Sequence, residues 1–174
     1  MSPIAGNKYI SNNAGTLTEV AGNQTSAGAT DAGKIVALNS AGQVDITMMP
    51  TGVGAEVSTI TASEAIAAGS FVNIYNNAST ANIRNADGST SGKQADGFVT
   101  AAVANGAQGT VYDLGQINNA VSGATPGTVY LSASTPGGVT STAPTGTGKT
   151  VQKLGVATSA TSISTASYPA IVLA

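Results

Sequence analysis

From residue 55 to residue 174, short apolar runs recur with turn residues between them. The runs are Val57–Ile60, Phe71–Tyr75, Ala81–Arg84, Phe98–Val103, Thr110–Leu114, Thr128–Ser132, Val151–Thr158 and Ala170–Leu173. Asp87-Gly88, Asn105-Gly106, Pro126-Gly127, Pro136-Gly137-Gly138 and Thr145-Gly146-Thr147-Gly148 punctuate them. Many short strands at near-regular spacing predict an antiparallel sheet protein. Phe71-Val72-Asn73-Ile74-Tyr75 and Thr110-Val111-Tyr112-Asp113-Leu114 place apolar side chains on both faces of a strand. Such strands need cover on each side, and a neighbouring subunit is the expected cover. Thr61–Gly69, rich in Ala and closed by a Gly, predicts one or two helical turns leading into the Phe71 strand.

Ahead of this region the pattern changes. In residues 33–50, two β-prone runs, Lys34–Leu38 and Gln43–Thr47, flank Asn39-Ser40-Ala41-Gly42 and predict a β-hairpin. Pro50 halts regular structure, and Thr51-Gly52-Val53-Gly54 reads as a hinge. Residues 1–30 hold only Met1, Ile4, Tyr9, Ile10, Leu17 and Val20 as sizeable apolar side chains, which predicts an extended arm ordered by contact with something else. The expected fold class is all-β: a small antiparallel β-sandwich or barrel over 55–174, preceded by an extended N-terminal arm over 1–30 and a β-hairpin with its linker over 31–54.

Composition narrows the chemistry. Ala, Gly, Ser and Thr make more than half of the chain, while charged residues are 8% and aromatics 4%. The chain has no Cys and no His, which removes thiolate nucleophiles, thiolate metal sites, Ser-His-acid triads and histidine bases. The net charge is -2 and the mean hydropathy +0.15. Disordered chains usually combine low hydropathy with high net charge, so disorder fits poorly outside the termini. A weakly charged, mildly apolar surface suits a chain covered by partner subunits. Met1–Gly6 has no basic stretch ahead of an apolar one, and no apolar run approaches the ~20 residues of a transmembrane helix. No secretory signal and no membrane span are therefore expected.

Ala143-Pro144-Thr145-Gly146-Thr147-Gly148-Lys149-Thr150 matches a relaxed phosphate-binding loop, with Ala143 for the first Gly. A working loop opens a helix, whereas Val151–Ala157 is β-prone. The expectation is a Gly/Thr hairpin loop that binds no nucleotide. Asp31, Asp45, Asp87, Asp96 and Asp113 stand mostly beside Gly or in turns, where a carboxylate bonds nearby backbone N–H groups. Lys8, Lys34, Arg84, Lys93, Lys149 and Lys153 are scattered, which disfavours nucleic acid. No catalytic residue, cofactor or metal is expected. Partner binding is assigned to Ile4, Lys8, Tyr9, Ile10 and Leu17 in the arm, with Lys8 offered to an acidic surface.

Two stretches carry a resemblance. Ala32-Gly33-Lys34-Ile35-Val36-Ala37-Leu38, Gly42-Gln43-Val44-Asp45 and Met48-Met49-Pro50 resemble strings in trimeric phage structural and fibre proteins, just ahead of a compact β-domain. Ala95–Val99, Gly127–Ser132, Gly137–Thr140 and Val151–Ala157 resemble the β-domain of small tailed-phage virion proteins, including capsid decoration (cement) proteins and head fibres. The resemblance covers about residues 30–174. It implies a homotrimer, made in the host cytoplasm, that binds the major capsid protein on the outer capsid surface of the virion. The three chains are expected to associate through their β-domains, with no nucleic-acid or membrane partner. A trimeric head or tail fibre gripping a host glycan is the alternative.

Overall fold

The computed structural model describes residues 7–49 and 55–174. The chain divides into two units, Met1–Gly54 and Ala55–Ala174. Among the described residues there is no α-helix, only two 3-10 turns at Gly28–Asp31 and Ile46–Met48. The fold is all-β, as the recurrence of short apolar runs predicts.

The N-terminal unit departs from its expected form. The arm is a hairpin of two antiparallel strands, β1 (Lys8–Asn13) and β2 (Thr16–Ala21), in register from Lys8↔Ala21 to Asn13↔Thr16. Its turn explains why an apolar-poor segment folds back. Ala14 and Gly15 both hold positive φ (51 and 88), the conformation that two-residue hairpin turns need, and the Asn12 side chain accepts from the Gly15 N–H. The hairpin expected over Lys34–Thr47 does not form. Its turn does: Asn39 N–H donates to Gln43, and the Asn39 side chain accepts from the Ala41 and Gln43 N–H groups. The strands fail because each run has a stronger local partner. Val36 bridges in parallel to Asn23. Asp45 accepts from the N–H and hydroxyl of Thr47, which starts the 3-10 turn at Ile46 and withdraws the second run from pairing. The hinge expected at Thr51–Gly54 lies outside the described residues.

In the second unit, β3 (Val57–Ala62), β4 (Phe71–Asn77), β5 (Thr80–Asn85), β6 (Gly97–Phe98) and β7 (Gln108–Asp113) form a closed barrel in the order β3-β5-β4-β6-β7. All neighbours are antiparallel except β3 and β5, which close a short parallel seam at Thr61↔Asn82 and Ala62↔Ile83. The helix expected over Thr61–Gly69 is absent. Extended chain lets Ile66 exchange two backbone hydrogen bonds with Val103 and bury its side chain inside the barrel. A two-turn helix would have left that residue as a lone anchor.

The remaining strands are β8 (Ile117–Asn118), β9 (Gly127–Leu131), β10 (Val139–Thr140), β11 (Thr150–Val151), β12 (Lys153–Ser159), β13 (Ser162–Thr165) and β14 (Ile171–Val172). Five of them make an antiparallel sheet in the order β10-β9-β12-β13-β8, and β11 pairs with β14. Gly155 sits where only glycine fits, with φ +147 and a would-be Cβ 2.1 Å from the Ser164 carbonyl.

Two cores result. Ala62, Ile66, Val72, Ile83, Val99, Val103 and Val111 fill the barrel. Phe71 and Phe98, on its outer face, pack against Val129, Leu131, Leu154 and Ile163 of the five-stranded sheet. Phe98 lies 6.1 Å from the Phe71 ring and stacks at 5.5 Å on Tyr112. This corrects the reading of the two-sided strands. In β4, Phe71 faces the sheet and Val72 the barrel interior; in β7, Tyr112 and Val111 divide the same way. Both faces are covered within one chain, so their burial requires no neighbouring copy.

Polar groups tie the layers. Gln152, buried, both donates to and accepts from the backbone of Ala95 (2.9 and 2.7 Å). Asp96, half-buried, accepts from the Asn73 side chain and the Ile74 N–H. Burial pushes its carboxyl above the ordinary value of 3.8, against those two bonds. The folded state therefore keeps the proton to higher pH than the unfolded chain does, and ionisation costs stability as the pH climbs past 3.8.

Two outcomes follow for urea unfolding. Asp96→Asn keeps an acceptor and removes the charge, so its stability relative to wild type should increase between about pH 4 and about pH 7; a flat or falling difference contradicts the assignment. Phe98→Ala should lose about 3–5 kcal/mol at any pH in that range, the usual cost of emptying a buried aromatic site; a loss under about 1 kcal/mol would show that the two layers do not depend on it.

Candidate functional site

The residues expected to bind a partner fall on the N-terminal hairpin, with Ile4 outside the described residues. The register sorts the others by face, because directly opposed residues in an antiparallel pair point the same way. Lys8, Ile10 and Asn12 share one face with Ala21, Glu19 and Leu17. Tyr9 and Ser11 share the other with Val20 and Thr18. The structure thus brings Lys8, Ile10 and Leu17 together and sets Tyr9 apart. Ile10 is 49% exposed and Leu17 69%, whereas Tyr9 and Ser11 are half-buried.

Lys8 is not a free cation. Its ammonium donates to Glu19 at 2.5 Å, diagonally across the hairpin. The exposed face is therefore apolar and locally neutral rather than basic. Lys34 is also paired, at 2.7 Å from Asp31. Asp31 accepts from the Ala27 N–H as well, and these bonds, the backbone one first, lower its carboxyl to about 2. That carboxylate fixes the turn over Ala27–Lys34.

No residue between 7 and 49 is buried. Ile10, Leu17, Val20, Ile35, Val36, Leu38, Val44, Ile46 and Met49 are all exposed. The sequence reading overlooked most of these. It placed Ile35, Val36, Leu38, Val44 and Ile46 in hairpin strands, where alternate residues would have had cover. The signal was present, since these large apolar side chains stand in a segment otherwise dominated by small and polar residues.

Elsewhere, reactive side chains hold structure. The loop from Ala143 to Thr150 joins β10 to β11, which pair with β9 and β14 and not with each other, so it is not a hairpin loop. Its Gly148 N–H donates to Leu173, its Lys149 N–H to Gly146, and the buried Thr150 hydroxyl to Thr90. A strand follows it rather than the helix that a phosphate-binding loop opens. Asp87 caps the Ser89 N–H, and Glu64 accepts twice from Asn85. Arg84 lies 4.3 Å from the Tyr75 ring and donates to Asn73 and Gly92, and Lys153 covers Tyr168. Among the described residues no group of three or more Asp or Glu could hold a metal, and no helix is long and apolar enough to cross a membrane. A groove of about 250 Å³ runs between Ala67–Ser70, Val121–Ser122 and Thr135–Val139, and no charged side chain lines it.

Comparison with known proteins finds no family model, no curated protein and no solved structure that matches the chain. The N-terminal unit itself offers apolar contact and backbone hydrogen bonding, and the second unit has cores of its own.

Proposed function

We propose that this chain is a non-enzymatic phage virion protein that decorates and stabilises the outside of an icosahedral capsid as a trimer bridging major capsid subunits. The observation that supports this reading best is the contrast between the two units. Residues 55–174 contain every buried side chain among the described residues, whereas residues 7–49 form ordered strands and turns with none. A segment of that kind gains its apolar burial only on a partner. Together with the resemblance to decoration and head-fibre proteins, the partner is a shell.

The mechanism is linkage. A junction between capsid subunits exists only in the assembled shell, so a protein that binds across it favours assembly by mass action. Three copies joined together bind with an effective concentration that single copies lack. With the charges of Lys8 and Lys34 paired inside the unit, binding rests on apolar contact and backbone hydrogen bonds rather than on steering. The salt dependence of binding is correspondingly weak.

The test is co-sedimentation with purified empty heads. The full chain should pellet with heads at low and at high salt. A chain lacking residues 1–22 should stay in the supernatant while residues 55–174 keep their cooperative unfolding. Binding to host cells but not to heads would replace this reading with the fibre alternative, and undiminished binding by the truncated chain would remove the N-terminal unit from the interface.

A further inference from the structure

Asn105 is the one asparagine of the chain that a glycine follows. Such a pair is chemically labile. The backbone nitrogen of the second residue attacks the side-chain carbonyl carbon of the first, and glycine, with no Cβ, hinders that approach least. The fold puts the pair in the open. Ala104–Ala107 is a turn closed by the Ala107 N–H on the Ala104 carbonyl. Asn105 and Gly106 are both exposed, Gly106 holds φ +80, and a Cβ built on it would meet nothing within 4 Å. One contact holds the reaction back. The Gly106 N–H donates to the Ala62 carbonyl at 2.8 Å, and the Ala62 N–H donates to Ala107 at 2.8 Å. Ala62 ends β3, is buried in the barrel core and closes the parallel seam with β5. The turn must lift off β3 before the Gly106 nitrogen reaches Asn105. An exposed turn held by a few backbone bonds opens more easily than the strands around it.

We propose that Asn105 is a site of spontaneous deamidation in the folded protein, gated by release of the Gly106 N–H from Ala62. The Gly106 nitrogen bonds to Cγ of Asn105 as the bond from Cγ to the side-chain nitrogen breaks. The proton lost from Gly106 passes through solvent to the departing NH2 group, which leaves as ammonia. Water then opens the cyclic imide. Opening at one carbonyl leaves an ordinary aspartate at position 105, and opening at the other leaves an isoaspartate, whose main chain is longer by a methylene. Nothing is oxidised or reduced. Either product adds one negative charge to a chain of net charge -2.

The competing positions are held more firmly. Asp87 and Asp96 also precede glycine, and an aspartate closes the same ring by losing water. Asp87 accepts from the Ser89 N–H, and the Gly88 N–H donates to Ser132 where a Cβ would lie 3.0 Å from the Ser132 carbonyl. Asp96 accepts from Asn73 and Ile74, and a Cβ on Gly97 would lie 2.6 Å from the Tyr112 carbonyl. Asn39, followed by Ser40, accepts from the N–H groups of Ala41 and Gln43. Each of these lacks either the open glycine or the free side chain that the ring closure needs.

The full chain is aged in mildly alkaline buffer, folded and in strong urea, and new acid is located by peptide mass and by an isoaspartate-specific methyltransferase. None of these readouts involves binding to heads. Position 105 should convert first in both conditions. The folded chain should convert at least about tenfold more slowly than the unfolded one. Urea below the unfolding transition should speed conversion in step with hydrogen exchange of the Gly106 amide, because one opening serves both. Folded Asn105→Ser should accumulate no isoaspartate over the same period. Conversion as fast in the folded chain as in urea, a Gly106 amide that exchanges without protection, first conversion at another residue, or a folded chain still unconverted when the unfolded one is fully converted would each overturn the proposal.

Discussion

Among the described residues, apolar burial is confined to the interior of a small barrel and to its contact with the sheet laid against it. In a chain more than half Ala, Gly, Ser and Thr, large side chains are few, and their placement decides which segments are self-sufficient. Phe71 and Phe98 face out of the barrel onto Leu131, Leu154 and Ile163, while Val72, Ile83 and Val111 face in. Two layers of burial thus share the same strands, so that β4 and β7 contribute to both. Gln152, bonded to both backbone groups of Ala95, holds the segment before β6 in the position this sharing requires.

The N-terminal unit includes, among its described residues, no buried side chain. Its order comes from local hydrogen bonds: the Ala14-Gly15 turn, the Asp31 carboxylate over Ala27, the Asn39 turn and the Asp45 cap. Hydrogen bonds of this exposed kind contribute little net stability, about 1 kcal/mol each or less. They specify a shape without supplying the burial that would hold it. A unit built in this way is prepared for a partner, and the mild apolarity of a weakly charged chain is explained by the side chains waiting there.

Most of the fold of residues 55–174 was legible because its strands follow apolar runs with Gly and Pro turns between them. Phe71–Tyr75, Ala81–Arg84 and Thr110–Leu114 each became a strand. The reading failed where small or polar residues build strands. Ile117–Asn118, Val139–Thr140 and Ser162–Thr165 offer too few apolar positions to show a period, and they pair because neighbouring strands present edges to them. The hairpin at Lys8–Ala21 was hidden for the same reason, and its turn uses Ala14 at positive φ, where sequence offers no warning. The candidate residues were legible as exposed apolar anchors, but not their division between faces. That division follows from register, which residue types do not set in a strand this polar.

The central claim is that residues 7–49 acquire a core only from outside the chain, and amide hydrogen exchange measured with and without purified empty heads addresses it most directly. Binding to heads should protect the amides of the Lys8–Ala21 hairpin, and the free chain should lack that protection while the amides of Phe71–Phe98 and Val129–Ile163 stay protected throughout. Protection of the hairpin that is unchanged in the free chain would contradict the account.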